Sequence, residues 1–139
     1  MIAVDEFRAE NREIKDLCDI LTLCMDEYSL HGNRVVCELI DRFVERVNAH
    51  LTHEDRSIYS DLLNNHSPEA ARIAEYFLGN TQELRRIFSA YTRGWCRKPH
   101  NEQQRGKHVE ESREMFKLVC DRIEFEENRI FPLIERKAG

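Results

Sequence analysis

The sequence predicts an all-α protein in which one domain, spanning residues 1–139, folds as an up-down-up-down antiparallel four-helix bundle. Three observations support this prediction. Apolar residues recur at intervals of three and four along four long stretches, which is the spacing of one helical face. Charged residues make up 34% of the chain beside only five glycines and three prolines, a composition typical of long solvated helices. No stretch alternates apolar and polar residues as a half-buried strand would.

The first predicted helix spans about Val4 to Tyr28, and its apolar face has one polar interruption, at Asn11. A glycine-containing turn at residues 30–33 separates it from a second helix predicted from Arg34 to Leu63. The apolar positions of the first helix are Phe7, Ile14, Cys18, Leu21, Met25 and Tyr28, and those of the second are Val36, Ile40, Phe43, Val47, Leu51, Ile58 and Leu62.

Ser67 and Pro68 begin the third predicted helix, because serine caps free amides and proline tolerates the first helical position. Thr81 interrupts its apolar face. Residues 96–107 contain a proline, a glycine and mostly polar side chains, and they are predicted to form the longest loop. The last helix is predicted over residues 108–136, where Pro132 ends or kinks it unless the last turn begins a fresh short helix.

Composition excludes several classes of protein. The net charge of -5 argues against a general nucleic-acid binder, which usually has a basic face. No stretch approaches the roughly 20 apolar residues of a membrane span, and the acidic N-terminus differs from a signal peptide. We therefore expect a cytoplasmic protein with reduced cysteines, since the five show no CxxC spacing. No nucleophile–base arrangement or phosphate-binding glycine loop is present, so we expect no enzyme.

The four helices share a polar layer, because each has a polar residue where its apolar face should continue. The residues concerned are Asn11, His50 with Glu54, Thr81, and Arg122 with Glu126. Buried polar groups cost several kcal/mol unless something pairs with them, so the layer predicts a metal site or a former one rewired by hydrogen bonds. His50 and Glu54 offer nitrogen and oxygen on one helical face, which suits a transition metal, but a histidine hydrogen-bonded to a carboxylate is the simpler interpretation. His53 and Asp55 are expected to face solvent.

These motifs resemble the hemerythrin-like (HHE cation-binding) family over nearly the whole chain. The resemblance rests on His50-x-x-x-Glu54 and on Glu126 followed by Ile130, Phe131 and Pro132. It implies a four-helix bundle whose histidines and carboxylates hold a non-haem di-iron centre. By position, it assigns His50, Glu54 and Glu126 as metal ligands.

Three positions depart from that family. Asn11, Thr81 and Arg122 stand where the resemblance places histidine ligands on the first, third and fourth helices. Arginine offers no lone pair and stays charged in proteins, so Arg122 cannot bind a metal. We therefore expect a vestigial metal site in which Arg122 supplies the positive charge between Glu54 and Glu126.

A second resemblance is to the regulator-of-sigma-D (Rsd/AlgQ) family of bacterial anti-sigma factors, which are also four-helix bundles. It rests on His50, residues 70–73 (Ala-Ala-Arg-Ile), residues 80–82 (Asn-Thr-Gln) and the segment from Arg122 to Ile130. It implies a non-catalytic protein that binds the housekeeping sigma factor.

Taken together, the sequence predicts a bacterial-type, cytoplasmic, non-enzymatic regulator that has no cofactor and acts by protein–protein contact, with a sigma factor as the implied partner. Direct contact with nucleic acid or membrane is not expected. The alternative is an HHE protein that binds iron or another cation through His50, Glu54 and Glu126 and senses oxygen or redox state. A further alternative is an accessory domain without a small ligand.

Overall fold

The computed structural model describes residues 3–27, 33–65, 67–94 and 102–138, and within them the chain forms four helical rods and no strand. The first rod is α1 (Asp5–Asp26), and the third is α4 (Pro68–Gly94). The second rod comprises α2 (Arg34–Glu54), a π-helical segment (Asp55–Tyr59) and α3 (Ser60–Asn65). The fourth comprises α5 (Glu102–Phe125), a second π-helical segment (Glu126–Ile130) and α6 (Phe131–Ala138).

Neighbouring rods run antiparallel. Helix α1 packs against α2 and α5, and α4 packs against α2, α3 and α5. Arg8 at the start of α1 binds Glu135 in α6, whereas Asp26 at the end of α1 binds Arg113, midway along α5. Residue numbers thus rise along one rod as they fall along its neighbour, which confirms the predicted bundle.

The fourth rod begins earlier than predicted. Helix α5 starts at Glu102, inside the segment that the sequence predicted as loop. Residues 102–107 are mostly good helix formers, and Gly106 lowers helix stability by only about 1 kcal/mol relative to alanine. Trp95 and the rest of residues 95–101 lie outside the described residues.

Pro132 begins a fresh helical turn, which is the second of the two predicted outcomes. The π-helical segment ends at Ile130 and α6 starts at Phe131, so Pro132 lies in the first turn of α6. Proline is tolerated there because a first-turn amide has no partner within its own helix.

Two hydrophobic clusters form the core, with the polar layer between them. One cluster is built on Ile14, Cys18, Phe43 and Phe88 and fills the half of the bundle that holds the start of α2. The other is built on Phe7, Tyr59, Phe77 and Phe131 and fills the opposite half. The buried polar residues between them are Asn11, His50, Glu54, Thr81, Arg122 and Glu126. The predicted register of the four interruptions is therefore confirmed.

The cysteines differ from the prediction of five reduced thiols. Cys18, Cys24 and Cys120 are free, but Cys37 is disulfide-bonded. Pairing depends on the distance between two cysteines in the fold, which spacing along the sequence does not reveal. Among the described helices, none has the length and apolar character needed to cross a membrane.

Candidate metal centre

The side chains of the polar layer are buried. Glu54 and Glu126 are 0% exposed, His50 is 5% exposed and Arg122 is 6% exposed. Asn11 is also buried at this level of α1, but neither atom of its side-chain amide has a hydrogen-bond partner among the described residues. The structure thus brings the candidate ligands together and leaves Asn11 outside their hydrogen-bond network.

Both carboxylates of the layer lie where an α-helix changes to π-helix. Glu54 is the last residue of α2, and Glu126 is the first residue of the second π-helical segment. Single π-helical turns are rare and occur frequently at functional sites, because they change the direction in which side chains point. Tyr59, at the end of the first π-helical segment, donates a hydrogen bond to Glu126 Oε2.

Glu10 orients the imidazole of His50. His50 Nδ1 lies 2.7 Å from Glu10 Oε1, and an ionised carboxylate can only accept, so Nδ1 carries the hydrogen. In the neutral ring, Nε2 then presents a lone pair to the interior, 3.2 Å from Glu54 Oε2. Histidine ligands of metals are usually held in this way, by a carboxylate on the other ring nitrogen.

Arg122 is anchored to helix α4. Its Nη1 donates to Thr81 Oγ1 at 2.9 Å, to Asn80 Oδ1 at 3.0 Å and to the carbonyl oxygen of Phe77 at 3.3 Å. The guanidinium also lies over the ring of Phe77, 5.2 Å from its centroid, at a distance typical of a cation–π contact. Thr81 is therefore a partner of Arg122.

The guanidinium engages one oxygen of each buried carboxylate. Arg122 Nη2 donates to Glu54 Oε1 at 3.3 Å, and Nε lies 3.7 Å from Glu126 Oε2. This geometry agrees with the expected Arg122–carboxylate network. The guanidinium does not engage the second oxygen of either carboxylate, and that of Glu54 lies 3.2 Å from His50 Nε2.

Six polar side-chain atoms in the layer have no hydrogen-bond partner within the described part of the chain: both amide atoms of Asn11, Arg122 Nε, and one atom of each candidate ligand. The ligand atoms are His50 Nε2, Glu54 Oε2 and Glu126 Oε1. One potential ligand atom from each of these residues lies within 4.8 Å of the others. All three residues line a cavity of about 10 Å³, which has room for about one water-sized sphere. Three converging donors and a small cavity fit one cation. They do not fit a pair of ions, because Arg122 occupies the other half of the layer.

The two carboxyl groups retain protons more strongly than usual. Burial raises the pKa of Glu54, and burial together with the charge of Glu54 raises the pKa of Glu126 well above its ordinary value. Burial lowers the pKa of Arg122, but Glu54 and Glu126 more than offset this and raise it overall. A single guanidinium thus balances only one of two buried carboxylates, and this imbalance favours the protonated form of the other.

The layer approaches the surface beside α1. A surface cavity of about 280 Å³ is lined by Glu10, Arg46, His50 and His53, among others. His53 was expected to face solvent, but its Nδ1 lies 3.1 Å from Glu10 Oε2 and its ring packs against Phe7. The His53 side chain is 36% exposed, so the expectation holds only in part, because Glu10 reaches across from α1 to both histidines.

Asp55 was also expected to face solvent and is instead half-buried. Its Oδ1 lies 3.1 Å from Thr81 Oγ1 and 4.0 Å from Arg122 Nη2. Neither Glu10 nor Asp55 interrupts an apolar pattern, so helical periodicity could not have found them. Tyr59 had a signal in the sequence, since residues 54–59 and 126–131 share the same spacing of carboxylate, aliphatic and aromatic residues.

Comparison with known proteins agrees with the geometry of the layer. The family model of the hemerythrin HHE cation binding domain matches residues 2–134. A search of curated proteins and a search of solved structures gave no significant match. The resemblance to the regulator-of-sigma-D family is therefore not supported, and two of the residues that suggested it, Asn80 and Thr81, serve here to hold Arg122. The chain belongs to the hemerythrin HHE cation-binding domain family.

Proposed function

We propose that this protein binds a single cation between His50, Glu54 and Glu126, and that Arg122 takes the place of a second cation. The observation that carries the proposal is the set of unpaired atoms facing one small cavity, one from each of the three residues. One nitrogen and two oxygen donors suit a divalent transition metal such as iron, manganese or zinc. Such an ion would supply Lewis acidity or, for iron, redox chemistry to the site.

The charges of the layer favour a cation at this position. Glu54 and Glu126 together carry two negative charges when both are ionised, and Arg122 balances one of them. A buried charge without a partner costs several kcal/mol, so the metal-free site keeps a proton instead. A divalent ion would replace that proton, and binding should therefore release protons and weaken as pH falls.

Metal titration of the purified protein tests this proposal. Under anaerobic conditions with Fe(II), and separately with Mn(II) or Zn(II), calorimetry should give one ion per chain. Glu126→Gln removes one anionic donor and should weaken binding by about 100-fold or more, on the scale of a lost charged partner. The matched control is Glu127→Gln, since Glu127 is the neighbouring carboxylate but lies at the surface beside Arg8.

Two results would contradict the one-ion site. Binding of two ions per chain would show that Arg122 moves aside for a second cation. Binding that Glu126→Gln leaves unchanged would place the ion elsewhere, for instance in the surface group formed by Glu6, Glu10 and His53.

Glu10 should tune the affinity of the buried site through His50. Because Glu10 fixes the orientation of the imidazole, Glu10→Gln should weaken cation binding by about 10–100-fold. Glu13→Gln is the matched control, because Glu13 lies one turn further along α1 and pairs with Arg46 instead. Equal affinities of the two variants in the same titration would show that Glu10 plays no part in orienting the ligand.

A second candidate function is a metal-independent regulator that binds a protein partner. It is favoured by a cavity of about 400 Å³ between α4 and α5, whose lining includes Tyr76 at 69%, Leu118 at 43% and Phe125 at 41% exposure. Exposed aromatic and aliphatic side chains in a groove are typical of interaction sites. Arg122 lines the same groove and so connects it to the polar layer.

A purified housekeeping sigma factor is the first partner to test. If it is the partner, calorimetry should detect a complex that Tyr76→Ser weakens and that added metal does not restore. No detectable complex would eliminate the sigma factor. Under both candidate functions the protein acts by binding and is not an enzyme.

A further inference from the structure

Two free cysteines face each other between α1 and α5. Cys18 is 1% exposed, and Cys120 on the neighbouring helix is partly buried. Both side chains line one cavity between these packed helices, and each thiol changes the pKa of the other, so the two thiols are neighbours. Disulfide formation requires two cysteines on adjacent backbones, and α1 and α5 supply them.

A cavity of about 240 Å³ lies over the pair and is lined by both cysteines. Its walls also carry charged side chains of the two helices, including Asp19 and Lys117, and this polar rim opens to the surface. A small oxidant such as a peroxide can therefore reach Cys120, whereas Cys18 lies behind it.

The environments of the two thiols differ in a way that assigns their roles. The neighbouring Cys18 thiol lowers the pKa of Cys120, and Lys15 adds to this effect. The Cys120 thiol and burial raise the pKa of Cys18. The thiolate is the nucleophile in cysteine chemistry, so Cys120 reacts first and Cys18 resolves the product.

We propose that Cys18 and Cys120 form a redox modification site in which a peroxide converts the two thiols to a reversible disulfide between α1 and α5. In the first step the Cys120 thiolate attacks one peroxide oxygen; the O–O bond breaks, and a sulfenic acid and hydroxide form. The hydroxide takes up a proton to give water. In the second step the Cys18 sulfur attacks the sulfenic sulfur, its thiol proton leaves with the hydroxyl group as a second water, and the S–S bond forms.

The overall balance is two thiols and one hydrogen peroxide giving one disulfide and two waters. The cysteines are oxidised by two electrons and the peroxide is reduced by two. A dithiol reductant reverses the change by thiol–disulfide exchange. The site involves none of the groups that would hold the cation, so it does not depend on metal binding.

The full-length protein, treated with hydrogen peroxide, tests this proposal. Intact mass without reductant should fall by two hydrogen atoms, and peptide mapping should join the peptides of Cys18 and Cys120. Cys24→Ser is the matched control, because Cys24 is another free cysteine on α1, and this variant should form the same crosslink. Dithiothreitol should restore both thiols.

Two further variants separate the roles. In the Cys18→Ser variant, oxidation should stop at a sulfenic acid on Cys120, which dimedone traps. The Cys120→Ser variant should react with peroxide at least about tenfold more slowly than the wild type. Three results would overturn the proposal: wild-type thiols that stay reduced, irreversible oxidation of Cys120 without a crosslink, and a disulfide that involves Cys24 or a second chain. Because the wild-type protein is the principal sample, a variant that fails to fold does not block the test.

Discussion

Replacing Arg122 with methionine should lower the free energy of unfolding of the metal-free protein by about 3–5 kcal/mol, the cost of removing one partner from a buried ion pair. Methionine fills much of the same volume but provides neither charge nor donors. Glu54 and Glu126 would then lie buried without the guanidinium that faces both of them. Thr81 and Asn80 would lose the guanidinium to which they are hydrogen-bonded. Denaturant unfolding in the presence of a chelator measures this change.

Arg113→Met is the matched control for this experiment. Arg113 is an arginine on the same helix, but its partner Asp26 is at the surface, where ion pairs contribute at most about 1 kcal/mol. A divalent cation should also rescue Arg122→Met more than it stabilises the wild type, because an ion can then replace the lost charge. An unchanged melting temperature in Arg122→Met would refute the assignment of Arg122 as the internal cation.

The fold and the polar layer could be predicted from sequence for the same physical reason. A helix buries one stripe, so a polar residue in that stripe is conspicuous, and Asn11, His50, Thr81 and Arg122 were all identified in this way. The structure adds contacts between helices, which the spacing of apolar residues does not reveal. Glu10 reaches His50 from the exposed side of α1, where a glutamate looks like any solvated residue.

The proposal of a one-ion site also depends on detail that the sequence does not contain. Sequence showed that Arg122 could not be a ligand, but it could not show which carboxylate oxygens the guanidinium occupies. That detail depends on rotamers and on the hydrogen bonds from Arg122 to α4. The pairing of Cys18 with Cys120 depends similarly on the packing of α1 against α5. In each case the missing information is a distance between two helices.

Glu126→Gln should make the metal-free protein more stable at neutral pH and flatten the dependence of its stability on pH. The pKa of Glu126 is raised in the folded protein above its ordinary value of 4.5 by burial and by the charge of Glu54. The native state therefore binds this proton more tightly than the unfolded state. The contribution of this proton to the free energy of unfolding is fully present below the pKa that Glu126 has in the unfolded chain. It is lost as pH rises through the pKa of Glu126 in the folded protein. A glutamine at this position does not ionise, so stability no longer falls with rising pH, and its side-chain oxygen can still accept the hydrogen bond from Tyr59.

At neutral pH we expect the metal-free Glu126→Gln protein to exceed the wild type by about 1–3 kcal/mol, the cost of a buried polar group without its partner. Glu127→Gln, at the surface, should leave the pH curve unchanged. A saturating divalent cation should reverse the order, because at 100 times its Kd it stabilises the wild type by about 2.7 kcal/mol and the variant much less. If the variant remains more stable than the wild type in saturating cation, Glu126 does not bind the ion. If the order reverses, the protein retains a strained pair of carboxylates because the bound ion needs both.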